Sequence, residues 1–199
     1  MGPNKTRSFN ILGGIRDTRC TVLLHWPRLT GPVACKLFVS SKTNDADIFA
    51  VLRVFDPAGK EVTFQGALDP RTPVGQGWLR ASHRKLDAKL TKPYRPYHTH
   101  DEIQPLTPGE VYELDIEIWP TCIVVPPGYC VALTIRGKDY AFDGPPIVLP
   151  NAFYPFTGVG PFFHNHPKDR PPAIFETTNT LHFGAAHQPY LLLPVIPPK

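Results

Sequence analysis

Four serines could supply a nucleophile, but none lies in the sequence context that activates one. They are Ser8, Ser40, Ser41 and Ser82. The pattern G-x-S-x-G, which presents a reactive serine on a strand-to-helix turn, does not occur in the sequence. Ser82 is followed by His83, but adjacent side chains on a strand point to opposite faces. We therefore predict that His83 does not contact Ser82 and that the chain carries no catalytic residue.

Two histidine pairs, His98 with His100 and His164 with His166, could begin a metal site. In an extended segment this spacing places both imidazoles of a pair on one side. A usable zinc site also needs further ligands and outer hydrogen bonds that orient them. Both pairs lie in proline-rich loops, where histidine commonly caps or packs. We predict no metal and no other cofactor.

An acidic pair, Asp45 and Asp47, and a basic pair, Arg80 and Arg84, lie near the ends of predicted strands. They could form part of a calcium or polysaccharide site. Ion pairing across strands is the simpler interpretation, because charges at strand ends usually serve register and solubility. We favour the ion pairs.

Two tryptophans, Trp78 and Trp119, could form a platform on which sugars stack. Each continues the pattern of a predicted strand, and large aromatic side chains usually pack in the core. We therefore predict that both are core residues.

The cysteines are also expected to be unreactive. They are Cys20, Cys35, Cys122 and Cys130. No C-x-x-C pair is present, and free cysteines are usually buried. We predict free thiols, and Cys122 and Cys130, which flank a short turn, are the one pair that could form a disulfide.

The distribution of charged and apolar residues argues against nucleic acid and membranes as partners. The 21 basic and 17 acidic residues are scattered along the 199 residues, with a net charge of +4, so no basic stripe for a phosphate backbone is present. No apolar run approaches the ~18 residues of a membrane span, and the first residues lack the apolar region of a signal peptide. We predict no nucleic acid, no membrane and a cytoplasmic location.

The strand pattern predicts an all-β fold. In residues 110–119 Leu114, Ile116 and Ile118 alternate with acidic residues, which is the period of a half-buried strand. With 25 prolines, long helices are disfavoured. Strands are predicted at 33–40, 47–56, 75–84, 110–119, 129–136 and 189–196. The segment at 47–56 is apolar on both faces and is placed centrally. The predicted core residues are Leu114, Ile116, Ile118, Val131, Leu133 and Ile135.

Four ordered blocks carry a resemblance to a known family. They are TGPVACKLFVSSKTNDADIFAVLRVFDPAGKEV, FQGALDPRTPVGQGWLRASHRKLD, YRPYHTHDEIQPLTPGEVYELDIEIWPTCIVVPPGYCVALTIRGKD and LHFGAAHQPYLLLPVIP. Together they resemble the C-terminal non-catalytic domain of the cocaine esterase/X-prolyl dipeptidyl peptidase (CocE/NonD) family of serine hydrolases. The likeness covers about residues 29–197. Residues 29–199 are therefore assigned to this domain, and residues 1–28 to a divergent N-terminal segment.

The resemblance implies a jelly-roll β-sandwich of the galactose-binding-like type, made of two packed antiparallel sheets. In the family this domain follows an α/β-hydrolase domain that holds the catalytic triad. We expect a non-catalytic accessory domain, from a truncated or split gene, that binds such a domain in trans or self-associates. An independent carbohydrate- or ligand-binding jelly roll is the alternative, and an enzyme with an unrecognised site is the third reading.

A proline-rich loop at residues 141–166 is the candidate partner interface. Its aromatic residues are Phe142, Phe153, Tyr154, Phe156, Phe162 and Phe163. Aromatic anchors on a backbone stiffened by proline lose little entropy on docking. Folding of the loop back onto its own domain is the competing interpretation.

We predict that the purified chain hydrolyses neither p-nitrophenyl esters nor X-Pro substrates, because it lacks a nucleophile elbow. Release of p-nitrophenol and of the X-Pro dipeptide would be measured. Turnover that disappears in the Ser82→Ala variant would contradict this prediction.

Overall fold

The structure is a computed structural model that describes the strand backbones of residues 7–11 and 20–22, and residues 28–66, 69–145, 147–148, 150, 156–160 and 163–196. Eleven strands are defined in these residues. In chain order they are β1 (Arg7–Ile11), β2 (Cys20–Val22), β3 (Arg28–Ser41), β4 (Asp47–Phe55), β5 (Glu61–Val62), β6 (Gly75–Arg80), β7 (Tyr112–Val124), β8 (Cys130–Arg136), β9 (Asn179–Phe183), β10 (Tyr190–Leu192) and β11 (Val195–Ile196).

The strands form two antiparallel sheets that pack as a sandwich. In the first sheet β3 is central, with β7 along one edge and β9, β10 and β11 along the other, and β1 extends the sheet beyond β9. In the second sheet β4 lies between β8 and the pair β5 and β6, and β2 adds to β8. The segment 1–28 therefore supplies a strand to each sheet. The all-β sandwich predicted from the sequence is confirmed, while the jelly-roll connectivity stays a prediction.

All six predicted strands are present, with different ends. The segment predicted at 75–84 stops at Arg80 and continues as a 3-10 turn, Ala81–His83. The segment predicted at 189–196 divides into β10 and β11 on either side of Pro194, whose carbonyl accepts a hydrogen bond from Thr30 N at 2.9 Å. The only other helix in the described residues is a single turn, α1 (Pro172–Phe175).

The core between the sheets follows the period-2 pattern of the strands. All six predicted core residues are buried: Leu114, Ile116, Ile118, Val131, Leu133 and Ile135. β4 is buried along its whole length, which confirms its central place. Its alternate residues, such as Ile48 and Leu52, belong to the core between the sheets. The others, such as Phe49 and Arg53, point to the outer side of the second sheet.

The outer side of the second sheet is covered by the chain itself. Arg53 forms an ion pair with Glu61, with 2.6 Å between Nη2 and Oε2. Tyr140, from the segment after β8, donates its hydroxyl to Glu61 at 2.9 Å. Burial, together with this carboxylate, raises the pKa of the Tyr140 phenol. We call the described parts of residues 137–176 the covering segment.

At one edge of the sandwich, the backbone of β6 lies directly against the backbone of β7. A Cβ atom added to Gly77 would lie 2.1 Å from the carbonyl oxygen of Glu117, and one added to Gly75 would lie 3.1 Å from that of Trp119. Glycine is needed at 77 because no side chain fits between the two backbones. This contact joins the edges of the two sheets.

We expect Gly77→Ala to lower the free energy of unfolding by about 1–3 kcal/mol, because the added methyl group forces β6 away from β7. Urea denaturation followed by circular dichroism measures the change. Gly59→Ala is the comparison, since a Cβ there meets nothing within 4 Å and is disfavoured only by a φ of 80°, which costs about 1 kcal/mol. Equal losses in the two variants would show that the contact is not tight.

Candidate functional site

Ser82 and His83 do not form a catalytic pair. The Ser82 hydroxyl donates to Asp45 Oδ2 at 2.7 Å, and the Ser82 side chain is buried. His83 Nδ1 instead lies 3.1 Å from Nδ1 of His100. The predicted separation of serine and histidine is confirmed.

A serine–histidine contact that the sequence analysis missed joins Ser40 of β3 to His182 of β9, with 2.8 Å between Oγ and Nε2. Burial and neighbouring His187 lower the pKa of His182, which favours the neutral imidazole. Among the described residues no hydrogen bond or ion pair joins His182 to a carboxylate, which the third member of a triad would require. The pair is 142 residues apart in sequence, and the strand pattern alone does not indicate it.

The two histidine pairs weighed as metal sites have different surroundings, and His98 lies beside His100 with 6.0 Å between the ring centroids. His100 pairs with His83, while His164 Nδ1 lies 2.8 Å from Asp139 Oδ1. His166 accepts a hydrogen bond from the Lys168 backbone. In the described part of the chain no three His, Cys, Asp or Glu side chains are grouped so that they could hold a metal ion.

The predicted ion pairing is confirmed for Asp47 and Arg80, which face each other across β4 and β6. The guanidinium contacts both carboxylate oxygens, at 2.9 and 3.1 Å. Arg170 Nε approaches the same carboxylate at 2.8 Å. The interpretation was wrong for the other two residues, because Asp45 binds Ser82 and Arg84 lies over the Tyr112 ring, 4.5 Å from its centroid.

The placement of both tryptophans in the core was also wrong. Trp119 is 70% exposed and Trp78 is 42% exposed. Each follows the strand pattern, but in the outward phase, next to the buried residues Ile118 and Leu79. The alternation of apolar and polar residues identified the two strands correctly. It did not reveal how much of each tryptophan side chain is covered by the rest of the protein.

Both tryptophans line a cleft of about 960 Å³ along the edge where β6 meets β7. Residues 96–100 form one wall and the covering segment forms the other. We call it the aromatic cleft. Its principal side chains are those of Trp78, Tyr97, His98, Glu117, Trp119 and His164.

The covering-segment wall is fixed by hydrogen bonds. Asp139 accepts from the backbone N–H of His164 at 2.7 Å and contacts its Nδ1. Asp69 Oδ2 accepts from the backbone N–H groups of Gly158 and Gly160, at 2.6 and 3.0 Å. The loop that faces β6 therefore has a defined shape without any ligand.

The ring of Trp78 is held between two aromatic neighbours. Its centroid lies 4.2 Å from that of His164 and 6.2 Å from that of Phe49, with a stacked arrangement against Phe49. Such contacts restrict the orientation of the indole. The aromatic cleft thus combines rigid rings with carboxylate and imidazole groups, which is the composition of a ligand or protein contact site rather than of a core.

Comparison with known proteins gives the family. The model of the X-Pro dipeptidyl-peptidase C-terminal non-catalytic domain matches residues 27–192. The chain belongs to this family.

The relatives of this X-Pro dipeptidyl-peptidase C-terminal domain are longer proteins. Proteins named "putative serine esterase" from Mycobacterium bovis and Mycobacterium tuberculosis are each 33% identical over 120 residues, which is 58% of this chain and 17% of theirs. A solved CocE/NonD family hydrolase from Staphylococcus aureus superposes with a TM-score of 0.77 at 22% identity, covering 96% of this chain and 33% of that one. An aminopeptidase from a Thaumarchaeota archaeon gives 0.53 at 13% identity, covering 96% and 26%. These structures share the fold.

The aromatic loop of this family member is divided between the interior and the surface. Phe156 is buried, so in this conformation it contacts its own domain and does not face a partner. Phe142 is half-buried beneath the guanidinium of Arg71, and Phe163 is 41% exposed. Phe153, Tyr154 and Phe162 lie outside the described residues. The partner interface stays a prediction.

The thiols of the domain are free where the structure describes them. Cys35 is buried, and burial raises its pKa to about 12, which makes it inert. Cys122 is exposed and Cys130 half-buried, and they form no disulfide with each other. The side chain of Cys20 is not described. Within the described residues, no helix has the length and apolar character to cross a membrane.

We expect the domain to lose stability as the pH falls. Burial, with nearby His100, lowers the pKa of His98 from 6.5 to about 4. The unfolded chain therefore binds more protons between these values, and the free energy of unfolding decreases as the pH falls through that window, by about 1–2 kcal/mol after allowance for solvent screening. Urea denaturation at pH 7, 5.5 and 4.5 measures the slope. His182 acts in the same direction, so His98→Gln should reduce the slope without abolishing it, and an unchanged slope would contradict the assignment.

Proposed function

We propose that this domain is the accessory part of a CocE/NonD-type hydrolase and that it acts by packing against an α/β-hydrolase catalytic domain. The catalytic domain would be supplied in the same polypeptide or as a separate chain. Membership of the non-catalytic domain family supports this proposal. The chain spans 17% of the length of the curated relatives and 33% of the solved hydrolase. The remaining, larger part of each of those proteins is where a catalytic domain for this accessory domain to pack against would lie.

The observation that carries the proposal is an exposed apolar surface on the outer side of the first sheet. Tyr190 and Leu192 of β10 are 44% and 36% exposed. They lie beside Lys36 and Ala34 of β3, so the four side chains share one face. The same face continues to the exposed residues Val124 and Ile196, which flank Arg28. We call this surface the open face.

The two outer sides of the sandwich differ. The covering segment buries the outer residues of β4, whereas the described residues place no comparable segment over β10. The open face has apolar residues beside charged ones, since Lys36 forms ion pairs with Glu113 and, at 3.6 Å, with Asp115. An apolar centre with charged neighbours is typical of a protein interface. Phe142 and Phe163 of the proline-rich loop would provide a second contact.

We expect the double variant Tyr190→Ser, Leu192→Ser to bind a separately produced α/β-hydrolase domain of a family member at least tenfold more weakly, which is about 1.4 kcal/mol. The reason is the loss of two central apolar contacts. Isothermal titration calorimetry measures the affinity. Tyr94→Ser is the matched control, because Tyr94 is 50% exposed and belongs to neither sheet.

Light scattering of the isolated chain separates the two kinds of partner. A monomer that binds the hydrolase domain supports the proposal. A dimer that dissociates in the double variant would assign the open face to self-association, and a monomer that binds no hydrolase domain would contradict the docking function.

A further inference from the structure

The aromatic cleft has features of a small-ligand site that packing against a hydrolase domain does not require. Three large aromatic side chains are exposed there: Trp119 at 70%, Tyr97 at 46% and Trp78 at 42%. Its volume, about 960 Å³, is at the upper end of the range for small-molecule sites. Aromatic rings left exposed in a rigid concave surface need a ligand with flat apolar faces to cover them.

The charges of the cleft exclude anionic ligands. Among its described lining residues there is no lysine or arginine. Three carboxylates line it, from Asp69, Glu117 and Asp139. A phosphate, sulfate or carboxylate group would find no cation to pair with and would be repelled.

The cleft is also poorly suited to a cation, because two of the three carboxylates are already engaged. Asp69 accepts hydrogen bonds from three backbone N–H groups, those of Arg71, Gly158 and Gly160. Asp139 contacts the His164 imidazole and its backbone N–H. Their hydrogen bonds hold the wall in place. Glu117 remains as an acceptor, which suits hydroxyl groups.

His98 lines the cleft, but its Nε2 atom is buried, so this atom does not contact a ligand in this conformation. The depressed pKa keeps the imidazole neutral near pH 7, so it contributes no positive charge to the cleft. Nearby His100 has a φ of 53°, which is unusual for a residue other than glycine. Backbone strain of this kind is concentrated at functional sites.

From these observations we propose that the aromatic cleft binds a neutral oligosaccharide. Sugar rings would pack their axial C–H faces against Trp119 and Tyr97, the two most exposed rings of the cleft, and their hydroxyl groups would donate to Glu117. A neutral oligosaccharide has apolar C–H faces that can cover the exposed rings, and it has no charge that the acidic lining would repel. The aromatic cleft adjoins the open face, because Glu117 pairs with Ala34, which in turn pairs with Leu192. Saccharide binding is measured on the isolated chain, and different substitutions test the two surfaces, so the proposal does not depend on docking of a hydrolase domain.

Binding is tested by titrating the full chain with cellotriose, maltotriose and β-1,4-galactotriose. Two of the three tryptophans line the cleft, so intrinsic fluorescence reports occupancy, and calorimetry gives the affinity. We expect saturable binding of at least one trisaccharide with a dissociation constant below about 1 mM. No binding of any of the three at about 10 mM would overturn the proposal.

Substitutions locate the binding. Trp119→Ala should weaken it at least tenfold, and Glu117→Gln severalfold, with unchanged circular dichroism. Trp119 is the preferred position because its exposure makes it dispensable for folding, whereas Trp78 packs on Phe49. Tyr94→Ala, an exposed tyrosine outside the cleft, should leave the affinity unchanged. Trisaccharide binding that survives undiminished in folded Trp119→Ala and Glu117→Gln variants would place the site elsewhere and overturn the proposal.

Charged probes test the ligand class. Choline and glucose 6-phosphate should bind at least tenfold more weakly than the best neutral trisaccharide. Tighter binding of choline would assign the cleft to cationic ligands instead. The double variant of Tyr190 and Leu192 should keep full saccharide affinity, so a failure of docking and a failure of saccharide binding are distinguishable.

Discussion

The direct contact between β6 and β7 determines much of this structure. Two sheets of a sandwich usually meet through side chains, with their backbones about 10 Å apart. Here Gly75 and Gly77 allow the edge of one sheet to lie on the backbone of the other. Both strands still send alternate side chains, such as Leu79 and Ile118, into the core. Trp78 and Trp119 occupy the opposite, outward phase, and both line the aromatic cleft beside the β6–β7 contact.

Among the described residues, the covering segment lies over the outer side of the second sheet, and no comparable segment lies over β10 of the first. The outer residues of β4 are buried by the covering segment, and the Arg53–Glu61–Tyr140 contacts attach that segment to the sheet. Charged groups at such depth need partners, because an isolated buried charge is very costly. The first sheet has apolar and charged residues on its outer side instead. This difference between the two sides is the physical reason to place a protein partner on the first sheet.

The sequence predicted the strands and the core because both follow from local alternation. Leu114, Ile116 and Ile118 repeat at the interval of two residues that a strand imposes, and each is buried as expected. The outward direction of Trp119 follows from the same alternation, because Trp119 is in phase with Glu117. The cleft could not be predicted in this way, since the segments that form its walls are placed by tertiary packing, just as the Ser40–His182 contact depends on the pairing of β3 with β9. Alternation gives two faces to every strand, whereas tertiary packing decides which face is covered.

Two half-buried arginines, Arg80 and Arg170, lie between the end of β4 and the aromatic rings next to the cleft. Asp47 binds Arg80 and Arg170, and Arg170 lies 5.6 Å from the centroid of the Phe49 ring. Phe49 in turn stacks on Trp78. Arg80 and Arg170 are held by a carboxylate and by aromatic rings, and neither lines the cleft, even though the chain has a net charge of +4. The cleft therefore keeps an uncharged-to-acidic lining, which determines which ligands it can accept.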